Sequence, residues 1–180
     1  MYLNLFINTT FTLFIIIDPI CYSLVFYSLT NNFDKEIKMK ISKKASLYSF
    51  IVLTLNLLIG KYLLEFMNLN INSMKITGGL TLLKTSYTIL FNQNNHNYDL
   101  IDNNDDENNI MKLAINPLTT ILLSGPGTLS TLIIISYDIQ NIYEYLIIVS
   151  SILIILFICF IGTYLTNFIQ TINNDLIHII

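Results

Sequence analysis

Arginine and tryptophan are absent from this 180-residue chain, and all nine basic residues are lysine. Only 12% of the chain is charged, where a soluble domain carries about 25%. With 53% hydrophobic residues and a mean hydropathy of +0.61, that deficit argues against an ordinary water-soluble core and for an integral membrane protein. The net charge of -3 comes with no basic stripe, so nothing points to nucleic acid. No lysine precedes Lys35, so the basic start of a signal peptide is missing and the first apolar stretch is expected to stay as a helix. The two cysteines, Cys21 and Cys159, lie in apolar stretches, where a thiol acts as a small hydrophobe rather than as half a disulfide or a metal ligand. His96 and His178 are isolated and lack the spacing of a metal site. Ser124 precedes a glycine but has neither the strand nor the G-x-S-x-G pattern of a nucleophile elbow. No nucleophile–base pair or phosphate-cradling loop is present, so the expectation is a non-enzyme without cofactor or metal. The abundance of Lys, Asn and Ile beside the missing Arg and Trp fits an AT-biased, reduced genome.

What is present is a series of apolar runs near the ~20 residues that cross a bilayer. Five spans are read: Leu5 to Leu29, Ser46 to Phe66, Met74 to Phe91, Met111 to Ser136 and Tyr143 to Thr166. The expected fold is all-α, a polytopic transmembrane helix bundle forming one domain over 1–180. The connection Asn31 to Lys44 holds five lysines, Lys35, Lys38, Lys40, Lys43 and Lys44. Short lysine-rich connections face the cytoplasm, which puts the N-terminus outside. The second polar connection, Asn92 to Ile110, is then cytoplasmic as well. It holds Asp99, Asp102, Asp105, Asp106 and Glu107, but neither EF-hand spacing nor the glycine of a calcium loop, and it lacks the apolar surface to fold alone. The tail Asn167 to Ile180 is too short to cross and reads as interfacial, or as the stub of a further helix.

Two of the three prolines interrupt an apolar run near its middle. Asp18-Pro19 breaks the first span, and Gly125-Pro126-Gly127 breaks the fourth. Main chain freed from helical bonding cannot face lipid; it must be buried in protein or line a polar cavity. Interrupted helices at matching places in two halves mark a transporter-like midplane site. Aligning Pro19 on Pro126 also sets Thr12 opposite Thr119 and Ser23 opposite Ser130, a weak internal symmetry that suits inverted repeats with broken helices 1 and 4. A carboxylate at mid-bilayer costs at least ~2.5 kcal/mol, so Asp18 should avoid lipid. It is placed to cap a half-helix starting at Pro19, or to handle a ligand or proton. The substrate-binding candidates are therefore Asp18, Pro19, Gly125, Pro126, Gly127 and Asn116. Asn116-Pro117 also reads as the start of the fourth span. The hydroxyls of Thr119, Thr120, Ser124, Thr128, Ser130 and Thr131 can satisfy main chain freed at the break, or line a solute path. Gly78 and Gly79 suit close helix packing. Lys84 either snorkels to the interface or pairs with Asp18.

These motifs resemble the MarC family of bacterial inner-membrane proteins. The family's first helix carries Asp-Pro, then Phe and Leu-Thr, matching Asp18-Pro19, Phe26 and Leu29-Thr30. Its third helix opens with a basic, an apolar and a small residue before Gly-Gly, matching Lys75-Ile76-Thr77-Gly78-Gly79. Its fourth helix reads Pro-Leu and then Gly-Pro-Gly, matching Pro117-Leu118 and Gly125-Pro126-Gly127. The resemblance covers essentially the whole chain. It departs at Cys21-Tyr22, where Gly-Asn is usual, at Leu24 and Ile121, where the family has Pro, and at Lys84, where it is apolar. A sixth helix mirroring the third is not found. The family is similar in plan to amino-acid exporters of the LysE group, which implies a multi-pass inner-membrane exporter of a small solute. Its partners would be the bilayer and that solute, with homo-oligomers left open. The rival reading is a structural or accessory membrane protein with no transport cycle, an eroding copy of the family.

Overall fold

The chain is described by a computed structural model that covers residues 2–30, 33–91, 122–137, 139 and 141–177, with the backbone alone at 85, 88–91 and 167–177. All regular structure among the described residues is helical: α1 (Tyr2–Ile17), α2 (Pro19–Thr30), α3 (Lys35–Phe66), α4 (Ile71–Phe91), α5 (Pro126–Tyr137) and α6 (Ile142–Ile177). The expected all-α bundle is what forms. Three stretches are long and apolar enough to cross a membrane: Tyr2–Thr30, Lys35–Phe66 and Ile142–Thr166. The third and fourth expected spans correspond to α4 and, for the part after Ser124, to α5. Asn92 to Ile110 and residues 111–121, including Asn116, lie outside the described residues.

Two boundaries differ from the sequence reading. The lysine-rich connection is helical from Lys35 onward, not a loop to Lys44. Asp34, extended at φ -66 and ψ 155, precedes the helix, and Glu36 sits in its first turn, where a carboxylate complements the helix dipole. Lysine is also a good helix former. Moreover, Ile41, Ser42 and Ala45 continue, one and two turns earlier, the buried stripe of Ser49, Leu53 and Leu57. At 1.5 Å per residue, these 32 residues span about 48 Å, longer than the ~30 Å hydrocarbon core, so the lysine turns project beyond it. The second difference is at the other end of the chain. The presumed tail is no separate segment over residues 167–177, because α6 continues through them for 36 residues in all.

The end of α3 is set by one residue. Asn68 adopts φ 51, in the left-handed region that asparagine tolerates. Its N–H donates to the carbonyl of Glu65 at 3.2 Å and that of Leu69 to Leu64 at 3.0 Å, which closes the helix and starts the turn into α4.

α6 is the hub, packing on α1, α2 and α3, while α5 packs on α3 and α4. Leu13, Ile17, Tyr22, Phe26, Leu53, Leu57, Leu132, Ile152 and Ile155 form the buried core. Two hydroxyl pairs cross between helices. Thr10 Oγ1 donates to Ser151 Oγ at 3.0 Å, joining α1 to α6. Ser42 Oγ lies 2.7 Å from Thr163 Oγ1, joining α3 to α6. Because Thr163 already donates to Phe160 O, Ser42 is the donor of that pair. Such bonds average about 0.6 kcal/mol in membranes, so close packing around small residues matters at least as much.

Glycines mark the close approaches. A Cβ on Gly162 would collide with Ser23 Oγ of α2, and one on Gly60 would stand 2.9 Å from Ser136 Oγ of α5. One on Gly78 would stand 3.1 Å from Ser130 Oγ, whereas Gly79 has nothing within 4 Å. Of the two glycines read as packing residues, only Gly78 faces a neighbouring helix. Gly162→Ala should therefore lower the unfolding temperature of the purified protein, because overpacking costs about 1–3 kcal/mol. Gly79→Ala should leave it unchanged or raise it, since Ala is the better helix former.

Candidate functional site

The first break is a single residue wide. Asp18 adopts φ 46 between α1 and α2. Its N–H still reaches Phe14 O at 3.0 Å, and its own carbonyl accepts from Tyr22 N–H at 3.0 Å, so each helix is bonded up to the break. Pro19 takes the first position of α2, where a missing N–H costs no intrahelical bond. The carboxylate of Asp18 accepts from the N–H of Cys21 at 3.2 Å, capping that helix. Asp18 is exposed, while its neighbours Ile17 and Pro19 are buried.

The second break is wider. Leu122 and Leu123 lie in a π-type turn, and Ser124 and Gly125 then lead into α5 at Pro126. Such wide turns recur at functional sites. Gly125 occupies the place of Asp18, and its carbonyl accepts from Leu129 N–H at 3.0 Å. A glycine has no side chain with which to cap the first turn, so the N–H groups of Gly127 and Thr128 have no cap of the kind Cys21 receives. Beside them Ser124 is 4% exposed, and its Oγ has no hydrogen-bond partner among the described residues.

The symmetry read from the sequence reappears in the bonding. Ser23 Oγ donates to Pro19 O at 2.7 Å, and Ser130 Oγ donates to Pro126 O at 2.8 Å. Each serine, four residues past its proline, ties down that proline's carbonyl, and each also meets a glycine of a neighbouring helix, Gly162 or Gly78. The breaks are neighbours as well. A Cβ on Gly127 would collide with the side chain of Leu82 and lie 3.9 Å from Ile16 Cγ2. Ile16 is two residues before Asp18, and Leu82 is two before Lys84 on α4. The end of α1, the start of α5 and the middle of α4 thus converge, bringing Asp18, Pro19, Gly125, Pro126 and Gly127 into one region. Lys84 is exposed, and standing two residues after Leu82 it lies about 200° round α4 from the side that meets Gly127.

Some contributors gave no sequence signal. Leu82 and Ile16 close the gap over Gly127, but in the sequence each is one apolar residue among many. Tyr22 is 1% exposed, packs its ring 6.3 Å from that of Phe26, and leaves its hydroxyl without a partner among the described residues. A tyrosine in place of the family's asparagine was the available hint. Among the described residues no cluster of His, Cys, Asp or Glu could hold a metal.

Comparison with known proteins adds an independent line. The family model described as MarC family integral membrane protein matches residues 3–180. A UPF0056 membrane protein of Methanocaldococcus jannaschii is 34% identical over 167 residues, covering 93% of this chain and 73% of that one. Another from Archaeoglobus fulgidus is 31% identical over 151 residues, covering 83% and 70%. A third, from Bacillus subtilis, is 23% identical over 172 residues, covering 95% and 82%. No solved structure matches.

The capping geometry makes a prediction of its own. Asp18→Ala removes the cap and keeps a side chain at positive φ, so it should cost about 1 kcal/mol or more of stability. Asp18→Gly loses the same cap but relieves the backbone, and Gly at such a position costs only a few tenths. Denaturant unfolding of the two purified variants should rank Gly above Ala, the reverse of the order expected inside a helix.

Proposed function

The chain belongs to the MarC family of integral membrane proteins, and from that premise we propose that it moves a small polar solute outward through a site shared by its two helix breaks. The convergence of Ile16, Gly127 and Leu82 carries this reading. The last carbonyls of α1 lack intrahelical donors and the first N–H groups of α5 lack intrahelical acceptors, as at any helix ends. Brought together, they offer acceptors and donors, with matching dipole ends, to one solute bearing both kinds of group. Ser124 adds a buried hydroxyl whose hydrogen-bonding capacity is unspent among the described residues.

An exposed carboxylate at mid-span fits the same reading. Asp18 next to lipid would be costly; next to a water-lined path it would not be. In this proposal the protein sits in the cell (inner) membrane with its N-terminus outside, Asp18 is the ligand or proton group, and Lys84 of α4 is its charge partner. The proposal contains no enzymatic step. One observation favours the rival, a structural or accessory membrane protein: the Asp18 carboxylate is already engaged by its own helix.

One substitution separates the two. Asn is as good a helix cap as Asp, so Asp18→Asn removes the charge and keeps the helix start. Transport predicts that this variant inserts and unfolds like the parent, yet loses flux of the transported solute by about tenfold or more in proteoliposomes, with amino acids as the first probes. Equal flux in parent and variant rejects Asp18 as the site. A purified protein that neither transports nor is thermally stabilised by any probe, but cross-links to a stable partner, favours the rival.

A further inference from the structure

The outward face of α3 changes character along its length. Lys40 and Lys43 are exposed and Lys44 is half-buried on the same side; Leu47, Ile51, Leu55 and Leu58 then continue that exposed stripe at helical spacing. The opposite stripe, with Ile41, Ala45, Leu53 and Leu57, is fully buried in the bundle. Lys38 belongs to the buried side, at 4% exposure, and takes no part. Lys43 and Lys44 stand one turn, about 5 Å along the axis, before Leu47. Three cations therefore edge an apolar strip that begins where their charges end.

We propose that this face of α3 retains an anionic phospholipid of the bilayer, its phosphate held by Lys40, Lys43 and Lys44 and its acyl chain lying along Leu47, Ile51, Leu55 and Leu58. Charge and polarity both select this occupant. A free phosphate would satisfy the lysines but leave the apolar strip unused, and a zwitterionic lipid would cover the strip but bring a cation of its own to the lysines. Juxtamembrane lysines attract anionic headgroups by a similar mechanism, each contributing measurably. Glu36 shares the lysine side, one turn before Lys40 and farther from the apolar strip, so it can draw on Lys40 but leaves Lys43 and Lys44 to the headgroup. Asp34, just outside the helix, is farther still. The acidic stretch from Asp99 to Glu107 is the competing anion within the chain.

The test uses the purified full chain in mixed micelles, where the orientation of insertion plays no part. Its thermal stability is titrated with phosphatidylglycerol and, separately, with phosphatidylcholine and inorganic phosphate. The proposal expects stabilisation by phosphatidylglycerol well beyond the other two. In Lys40→Gln/Lys43→Gln/Lys44→Gln the phosphatidylglycerol concentration needed should rise about tenfold or more, while Lys75→Gln at the far end of the bundle should behave like the parent. About 0.5 M salt should weaken the parent's response, because the charges are exposed. If the triple variant does not fold, the salt series and Lys43→Gln/Lys44→Gln decide. Equal stabilisation by the two lipids overturns the proposal, as does an unchanged response in the lysine variants, or a parent that prefers phosphatidylglycerol only after the 99–107 carboxylates are replaced by amides. A response to inorganic phosphate equal to that of the lipid overturns it in favour of a soluble anion.

Discussion

Main chain inside hydrocarbon must be hydrogen-bonded within the protein, and this one requirement governs the molecule. Two prolines remove donors in the middle of apolar runs, and the chain answers in the same way twice. Each proline takes the first position of a new helix, where its missing N–H would have had no partner. Each proline's carbonyl is then held by the serine one turn later, Ser23 or Ser130. What this local repair leaves over is the acceptor end of α1 and the donor end of α5. Those ends can persist in a membrane only where protein or water covers them. The convergence of α1, α5 and α4 is thus a condition for the breaks to exist at all, before any question of function arises.

The same requirement explains the density of small residues. Gly162 admits Ser23, and Gly78 admits Ser130, so the helices that flank each repaired break approach until a Cβ would collide or nearly so. Lipid supplies no hydrophobic force to press apolar helices together. Contact must come from close fit and from hydroxyl pairs such as Thr10 with Ser151 and Ser42 with Thr163. The interior is accordingly rich in Ser, Thr and Gly between its Leu and Ile, whereas the outward side of α3 beyond its lysines is apolar, as Leu47 and Ile51 illustrate.

Which parts of this were legible follows from what each residue type can report. A proline in an apolar run is a strong signal, because few structures tolerate it, and both breaks were read at the residues where they occur. Asp18 as a helix cap could be read for the same reason: a carboxylate before a proline has few other uses at that depth. The start of α3 was missed by about ten residues because lysines suit a cytoplasmic loop and a helix surface equally. Only the buried stripe of Ile41, Ser42 and Ala45 distinguishes them, and it is short. The continuation of α6 past Thr166 was missed because the apolar signal fades there although the helix does not. Leu82 and Ile16 were beyond reach, since which leucine of a helix meets Gly127 is decided by how helices from both halves dock.

The two breaks match in their prolines and serines but differ in the residue before the proline, and that difference bears on mechanism. At the first break the side chain of Asp18 satisfies an N–H of its own helix. At the second, Gly125 can do nothing of the kind, and the neighbouring Ser124 hydroxyl is buried and, among the described residues, unspent. A pair of sites equally capped would be a structural device; a pair equally open would be costly to insert. One capped and one open start leaves the spare hydrogen-bonding capacity among the described residues at the start of α5; in the proposed transport reading, the Asp18 carboxylate leaves its cap for a ligand at the cost of one hydrogen bond of about 1 kcal/mol. That cost is small enough for a solute to offset and large enough to keep the first helix closed without one. On the proposed reading, the asymmetry between Asp18 and Gly125, more than the symmetry of the prolines, is therefore what distinguishes a binding site from a pair of kinks.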